Sequence, residues 1–136
     1  MNTRFLRILI WLIWLCCSLV VAQQKPRMLS VADARHLVYE ALSKGERKLP
    51  GLYIAPESDA KGRALAFEVL WANPGPGSVH VDFYTVDLHT GALWRGTVCE
   101  PVVTSRVVRI QHDLRKRLGI TEKAYQEALE QNLCLK

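Results

Sequence analysis

Polar side chains suited to chemistry alternate along one predicted strand. His80, Asp82 and Tyr84 stand two residues apart, so in a strand they point to the same side of the sheet. An imidazole and a carboxylate at this spacing can ligate a metal ion or act as an acid–base pair. The neighbouring strands complete the predicted polar face with Arg95, Thr97 and Glu68.

A second reading of this face is that it is simply solvated, because a sheet covered by helices on one side leaves its other side polar. The sequence contains neither a GxSxG nor an HExxH pattern, and its glycine-rich loop at 73–77 matches no phosphate-binding motif. We therefore predict a binding face without catalytic residues, metal ligands or a cofactor. A small hydrolase or metal-dependent enzyme that uses this face is the alternative.

Hydrophobic periodicity predicts the elements that position these residues. Ser30 and Asp33 have the spacing of a capping box, which predicts a first helix from there to Gly45. Alternating apolar residues predict one strand over 64–71 and another over 79–88. In the second of these, the alternation predicts Val79, Val81 and Phe83 on the face opposite the polar one.

The hairpin that joins the polar residues is predicted from its turn. Leu88–Gly91 suits a tight turn with glycine in the left-handed conformation, and residues 92–98 then return antiparallel. This register places Trp94 opposite Thr85. We expect Pro101 to end the returning strand.

Two helices are predicted after the sheet. The first carries an apolar stripe and stops at Gly119, and the second is capped by Thr121. The predicted fold is therefore α+β, with an N-terminal helix, a three- to four-stranded antiparallel sheet and two C-terminal helices.

Many cations lie on the first of these two helices. They could contact phosphate or lipid, or they could form a solvated face. The solvated face is preferred because the charges surround the helix. The crowded residues are Arg106, Arg109, Arg115, Lys116 and Arg117.

The first residues of the chain are typical of an export signal. Arg4 and Arg7 precede an apolar run from Ile8 to Val21, and Ala22 offers a small residue for cleavage. We predict a signal peptide at 1–22, a flexible N-terminus at 23–29 and a single domain at 30–136. An uncleaved segment would instead anchor the domain to a membrane as an accessory subunit.

Composition limits the classes of partner. The formal net charge of the chain is +5, and cleavage of the signal would remove two of its arginines. This mild excess does not suit a nucleic-acid binder, which usually carries a stronger and more clustered positive charge. We predict a protein partner, no nucleic acid, and membrane contact only if the signal is not cleaved.

One segment resembles a known family. Residues 84–94, with Asp87, Thr90 and Gly91, resemble the VDxxTG hairpin of PepSY-type domains. These are small exported modules in which a helix packs on a curved antiparallel sheet, so the resemblance implies a PepSY-like arrangement. The alternating strands also suit a cystatin-like arrangement, in which the sheet curls on the first helix. It also implies binding or inhibition outside the cytoplasm, and no catalytic residues.

The function that these observations favour is a small exported, non-enzymatic binding module. It would act as an inhibitor or as an immunity-type protein of the cell envelope, in the periplasm or outside the cell.

Export also predicts a disulfide between Cys99 and Cys134, since Cys16 and Cys17 would leave with the signal. Closing this loop stabilises the fold by about 3 to 4 kcal/mol in the chain-entropy model. We expect no thiol to react in the untreated exported protein, two to react after reduction, and the melting temperature to fall. Two reactive thiols before reduction would exclude the bond.

Overall fold

The computed structural model describes residues 28–57, 62–72, 75 and 78–131. The predicted signal segment, the cleavage site and Cys134 lie outside these residues. The described elements are helix α1 (Val31–Ala41), a 3₁₀ turn (Glu46–Lys48), strands β1 (Tyr53–Pro56), β2 (Ala64–Ala72), β3 (Ser78–Asp87), β4 (Leu93–Arg95) and β5 (Glu100–Pro101), and helices α2 (Ser105–Leu118) and α3 (Glu122–Gln131).

The five strands form one antiparallel sheet in the order β1-β2-β3-β4-β5. The α+β class, the N-terminal helix and the two C-terminal helices are confirmed. The strand number of three to four was too low, because β5 is only Glu100 and Pro101 and gives no periodicity to detect. The returning strand is also shorter than predicted: β4 ends at Arg95, and Gly96–Cys99 forms a turn.

The helix termini follow from their capping residues. The Ser30 hydroxyl accepts from the backbone N–H of Asp33, and the Asp33 carboxylate accepts from that of Ser30, which confirms the capping box. α2 ends at Gly119, whose φ of 71° is a conformation that glycine adopts without steric cost. Leu29, just before α1, is buried and its N–H donates to the carbonyl of Leu88 at 2.7 Å.

One face of the sheet packs against α1 and α2. Phe67 lies opposite Tyr84, and Leu65 lies opposite Val86, all four of them buried. Apolar side chains from the helices complete this core: Ala34, Leu37, Val38, Leu42, Val107 and Leu114.

The other face is covered near β4 by α3. Trp94, on the side of β4 opposite Leu93, packs with Ala92, Tyr125 and Ala128 and is fully buried. Thr85 lies opposite Trp94, so the predicted hairpin register is confirmed. β4 is therefore buried on both faces, whereas the β1 end of this face carries the exposed Tyr53.

The β3–β4 turn is held by a buried carboxylate. Asp87 accepts from the Arg63 guanidinium at 2.9 Å, from the Thr90 hydroxyl at 2.9 Å and from the backbone N–H of His89 at 2.8 Å. Gly91 has a φ of 75°, as the turn prediction requires. The Asp-x-x-Thr-Gly pattern is thus explained by hydrogen bonding within the turn.

A buried polar chain attaches α2 and α3 to this turn. Gln111 donates through Nε2 to the carbonyl of Gly91 at 2.8 Å, and the Tyr125 hydroxyl donates to its Oε1 at 3.0 Å. The Arg115 guanidinium lies 3.9 Å from the centroid of the Tyr125 ring. Both Gln111 and Arg115 are buried. Arg115 is thus the one of the five crowded cations that does not lie on a solvated face.

Replacing Tyr125 with Phe should lower the free energy of unfolding by about 1 to 3 kcal/mol, because Gln111 Oε1 would remain buried without this donor. Urea denaturation measures the difference. The matched control is Tyr53→Phe, which removes the same hydroxyl from a side chain that is 59% exposed and should change stability by less than about 0.5 kcal/mol. Equal losses in the two variants would contradict the assignment.

Candidate binding groove

A β-bulge in β3 divides the predicted polar face. Val69 lies opposite Asp82 and Leu70 opposite His80, so Val81 has no partner in β2. The extra residue reverses the alternation of side chains along the strand. Val79 and His80 keep the predicted sides, but from Asp82 onward each side chain points to the other face.

The prediction that the six polar residues share one solvated face is therefore wrong. Tyr84 is in the core, and Asp82, at 6% exposure, lies on the same side of β3. Arg95, opposite Tyr84, also lies on this helix-covered side. His80 and Glu68 lie on the outer face, where the His80 ring packs 4.1 Å from the ring of Phe83. The predicted acid–base pair of His80 and Asp82 is thus split between the two faces of the strand.

Four of the six predicted residues do come together, around the Asp82 carboxylate. Arg95 donates through Nε to Asp82 Oδ2 at 2.5 Å, and the backbone N–H of Phe83 donates to Oδ1 at 2.8 Å. The Thr97 hydroxyl also donates to Oδ1. Three donors from β3, β4 and the following turn therefore satisfy one buried carboxylate and fix the Arg95 side chain.

Tyr84 lies against this pair. Burial of its phenol raises the pKa of Tyr84, and the Arg95 guanidinium, which also makes a side-chain hydrogen bond with it, reduces that rise. Partial burial by itself lowers the pKa of Arg95, but Tyr84 and Asp82 outweigh this effect and raise it above its ordinary value. Arg95 is therefore a permanent cation held at a fixed position.

Tyr84 and Arg95 border an open groove of about 640 Å³. Its walls are the C-terminal end of α1, the 3₁₀ turn, β4, β5 and the N-terminal end of α2. The charged residues that line it are Glu40, Lys44, Glu46, Arg47, Arg95, Glu100 and Arg106.

Ion pairs connect the walls of the groove. Glu40 Oε2 accepts from Arg47 at 3.0 Å and from Arg106 at 3.1 Å, which joins α1 to the 3₁₀ turn and to α2. Glu46 Oε1 lies 3.9 Å from the Arg95 guanidinium. Ion pairs thus restrain five of the seven charged side chains that line the groove.

Sequence reasoning missed Glu40, Glu46 and the groove itself. The Ser43–Glu46 pair did carry a signal: the Glu46 carboxylate accepts from the backbone N–H of Ser43 at 2.6 Å, and the Ser43 hydroxyl accepts from that of Glu46 at 3.2 Å. This is the reciprocal pattern of a capping box, and it could have located the turn. That the turn lies beside Arg95 is a tertiary property.

Two further observations concern the described residues alone. No group of three or more His, Cys, Asp or Glu side chains in the described ranges is arranged to hold a metal ion. None of the helices in those ranges combines the length and the apolar character that a membrane span requires.

Comparison with known proteins gives one informative likeness. No family model matches the chain, and no curated protein matches it. A chain in the structure of a type VI secretion system effector–immunity complex from Pseudomonas protegens is similar in fold, with a TM-score of 0.63 and 18% sequence identity. The match covers 85% of this chain and 97% of that chain, so the two share the fold over nearly the whole of the smaller one.

Replacing Arg95 with Gln should lower the free energy of unfolding by about 1 to 3 kcal/mol, because the buried Asp82 carboxylate would lose its charged donor. Replacing Arg106 with Gln should cost less than about 1 kcal/mol, since the Arg106 side chain is exposed and Glu40 keeps its pair with Arg47. Urea denaturation of both variants tests this order. A double-mutant cycle with Asp82→Asn should give a coupling energy for the Arg95 pair; additive effects would contradict it.

Proposed function

We propose that this protein is an immunity-type binding module of the cell envelope, which neutralises a toxic effector protein by forming a complex with it. The observation that carries the proposal is the likeness in fold to a chain of an effector–immunity complex, over 97% of that chain. Neutralisation by binding needs a stable domain and a structured surface.

The candidate groove supplies such a surface. Its three arginines are restrained by ion pairs with Glu40, Glu46 and the buried Asp82, so they lose little conformational freedom when a partner binds. Arginine, which lines this groove at three positions, is also among the residues that contribute most to protein–protein binding. These properties support a protein as the ligand.

The compartment is part of the proposal. The signal-like residues 1–22 support export, and we propose that the mature protein acts in the periplasm or outside the cell. The Cys99–Cys134 disulfide that we predict would form there. The intact mass of the exported protein tests cleavage after Ala22.

Capture followed by a protection assay tests the function. The tagged full chain is expressed in the cells from which it comes and is captured from their envelope under non-reducing conditions. We expect one protein at 1:1 yield, and we expect its toxicity in a susceptible bacterium to be abolished when the full chain is co-expressed.

The matched control is the chain without residues 1–22, which should not protect if the toxin acts outside the cytoplasm. A stoichiometric partner that is not toxic, or a toxic partner against which the full chain gives no protection, would contradict the proposal. Turnover of a substrate, lost in Asp82→Ala but with binding intact, would instead favour the enzymatic alternative.

A further inference from the structure

We propose that the groove binds an acidic segment of the protein partner, and that the arginine side chains at its rim hold the carboxylates of that segment. This inference rests on the proposed function, because it takes the ligand to be a protein. It adds the chemistry of the partner surface, which follows from the exposed fractions of the charged side chains in the groove.

Two cations of the groove, Arg95 and Arg106, are more accessible than the carboxylates with which they pair. The side chains of Arg95 and Arg106 are 47% and 43% exposed, whereas those of their partners Glu46 and Glu40 are 25% and 17% exposed. The side chain of Asp82, behind Arg95, is 8% exposed. These three carboxylates therefore lie deeper in the groove wall than the guanidinium groups of Arg95 and Arg106. Arg47, whose side chain is 15% exposed, lies as deep as Glu40.

The Glu40 carboxylate is also shared between two cations. Its Oε2 contacts both Arg47 and Arg106, so one negative charge faces two positive charges at this end of the groove. Lys44 adds an exposed cation, and Glu100 is the exposed carboxylate among the residues that line the groove. The charge that a partner meets at the surface is therefore mainly positive.

Guanidinium groups suit carboxylates in geometry as well as in charge. Each presents five N–H donors in a plane and can bind both oxygens of a carboxylate. Arg106 contacts Glu40 through Nη1, which leaves donors for a ligand. Aspartate and glutamate side chains are the anionic groups that a protein segment provides, and the groove volume of about 640 Å³ admits several side chains.

Charge reversal at the rim tests the inference. Arg106→Glu and Lys44→Glu, singly and together, reverse exposed cations without unpairing the buried Asp82, as a change at Arg95 would. The matched control is Arg109→Glu, which is exposed on the same helix but does not line the groove. Melting temperatures identify variants that fail to fold, and Arg106→Gln, which removes the charge without reversing it, replaces any such variant.

Affinity for the captured partner is the first readout. We expect Arg106→Glu to weaken binding by at least about tenfold, or about 1.4 kcal/mol, and the control to stay within about twofold of the unaltered chain. Cross-linking of the complex identifies the partner carboxylate that lies next to Arg106, and replacing that residue with Lys should restore binding to Arg106→Glu. Unchanged affinity would show that the groove is not the interface, and tighter binding would show a basic partner segment; either result overturns the inference.

If capture yields no partner, that result counts against the proposed function but not against the chemistry of the groove. A peptide titration then tests whether the groove binds acidic side chains. The probe is a synthetic peptide of alternating Glu, Asp and Gly, and its control replaces the acidic residues by Gln and Asn. We expect the acidic peptide alone to shift the NMR signals of the Arg106 side chain and of residues 100–104 in the exported protein. No shift, or equal shifts with the neutral peptide, overturns the inference.

Discussion

The β-bulge at Val81 is the constraint on which the candidate site depends. β3 has one residue more than β2 between the paired positions Val69–Asp82 and Leu70–His80, so the alternation of side chains is reversed beyond the bulge. Tyr84 and Val86 thereby reach the core, where both are buried. Asp82 follows the same alternation and is carried inward with them, whereas His80, on the other side of the bulge, stays on the outer face.

Bringing a carboxylate inward is costly unless donors accompany it. Here the backbone of Phe83, the Thr97 hydroxyl and the Arg95 guanidinium all donate to Asp82. This requirement determines the position of Arg95 at the edge of the core and hence at the wall of the groove. The depth difference between Asp82 and Arg95 has the same origin, because the short acidic side chain serves as a buried acceptor and the long arginine side chain extends from it to solvent.

The second face of the sheet is organised by a different set of polar groups. Asp87 fixes the turn between β3 and β4, and Gln111 ties that turn to α2 and, through Tyr125, to α3. These bonds hold α3 over Trp94 and bury β4 on both sides. β4 is thereby packed between the α1–α2 core and α3, and this packing fixes the backbone position of Arg95 at its end.

Local patterns in the sequence determined the element order, the capping box at Ser30, the end of α2 at Gly119 and the hairpin register at Thr85 and Trp94. Each of these depends on residues close together in the chain, through turn geometry, capping or periodicity. A two-residue strand such as Glu100–Pro101 carries no such pattern. The bulge is not evident from residues 79–83, whose alternation has a single phase. Only Tyr84, Val86 and Leu88, which follow the opposite phase, carry a trace of it in the sequence. Only the tertiary structure decided that Asp82, Tyr84 and Arg95 face the helices, and that Glu40 and Glu46 meet the arginines there, since these contacts join segments distant in sequence and arise from packing the sheet against α1 and α2.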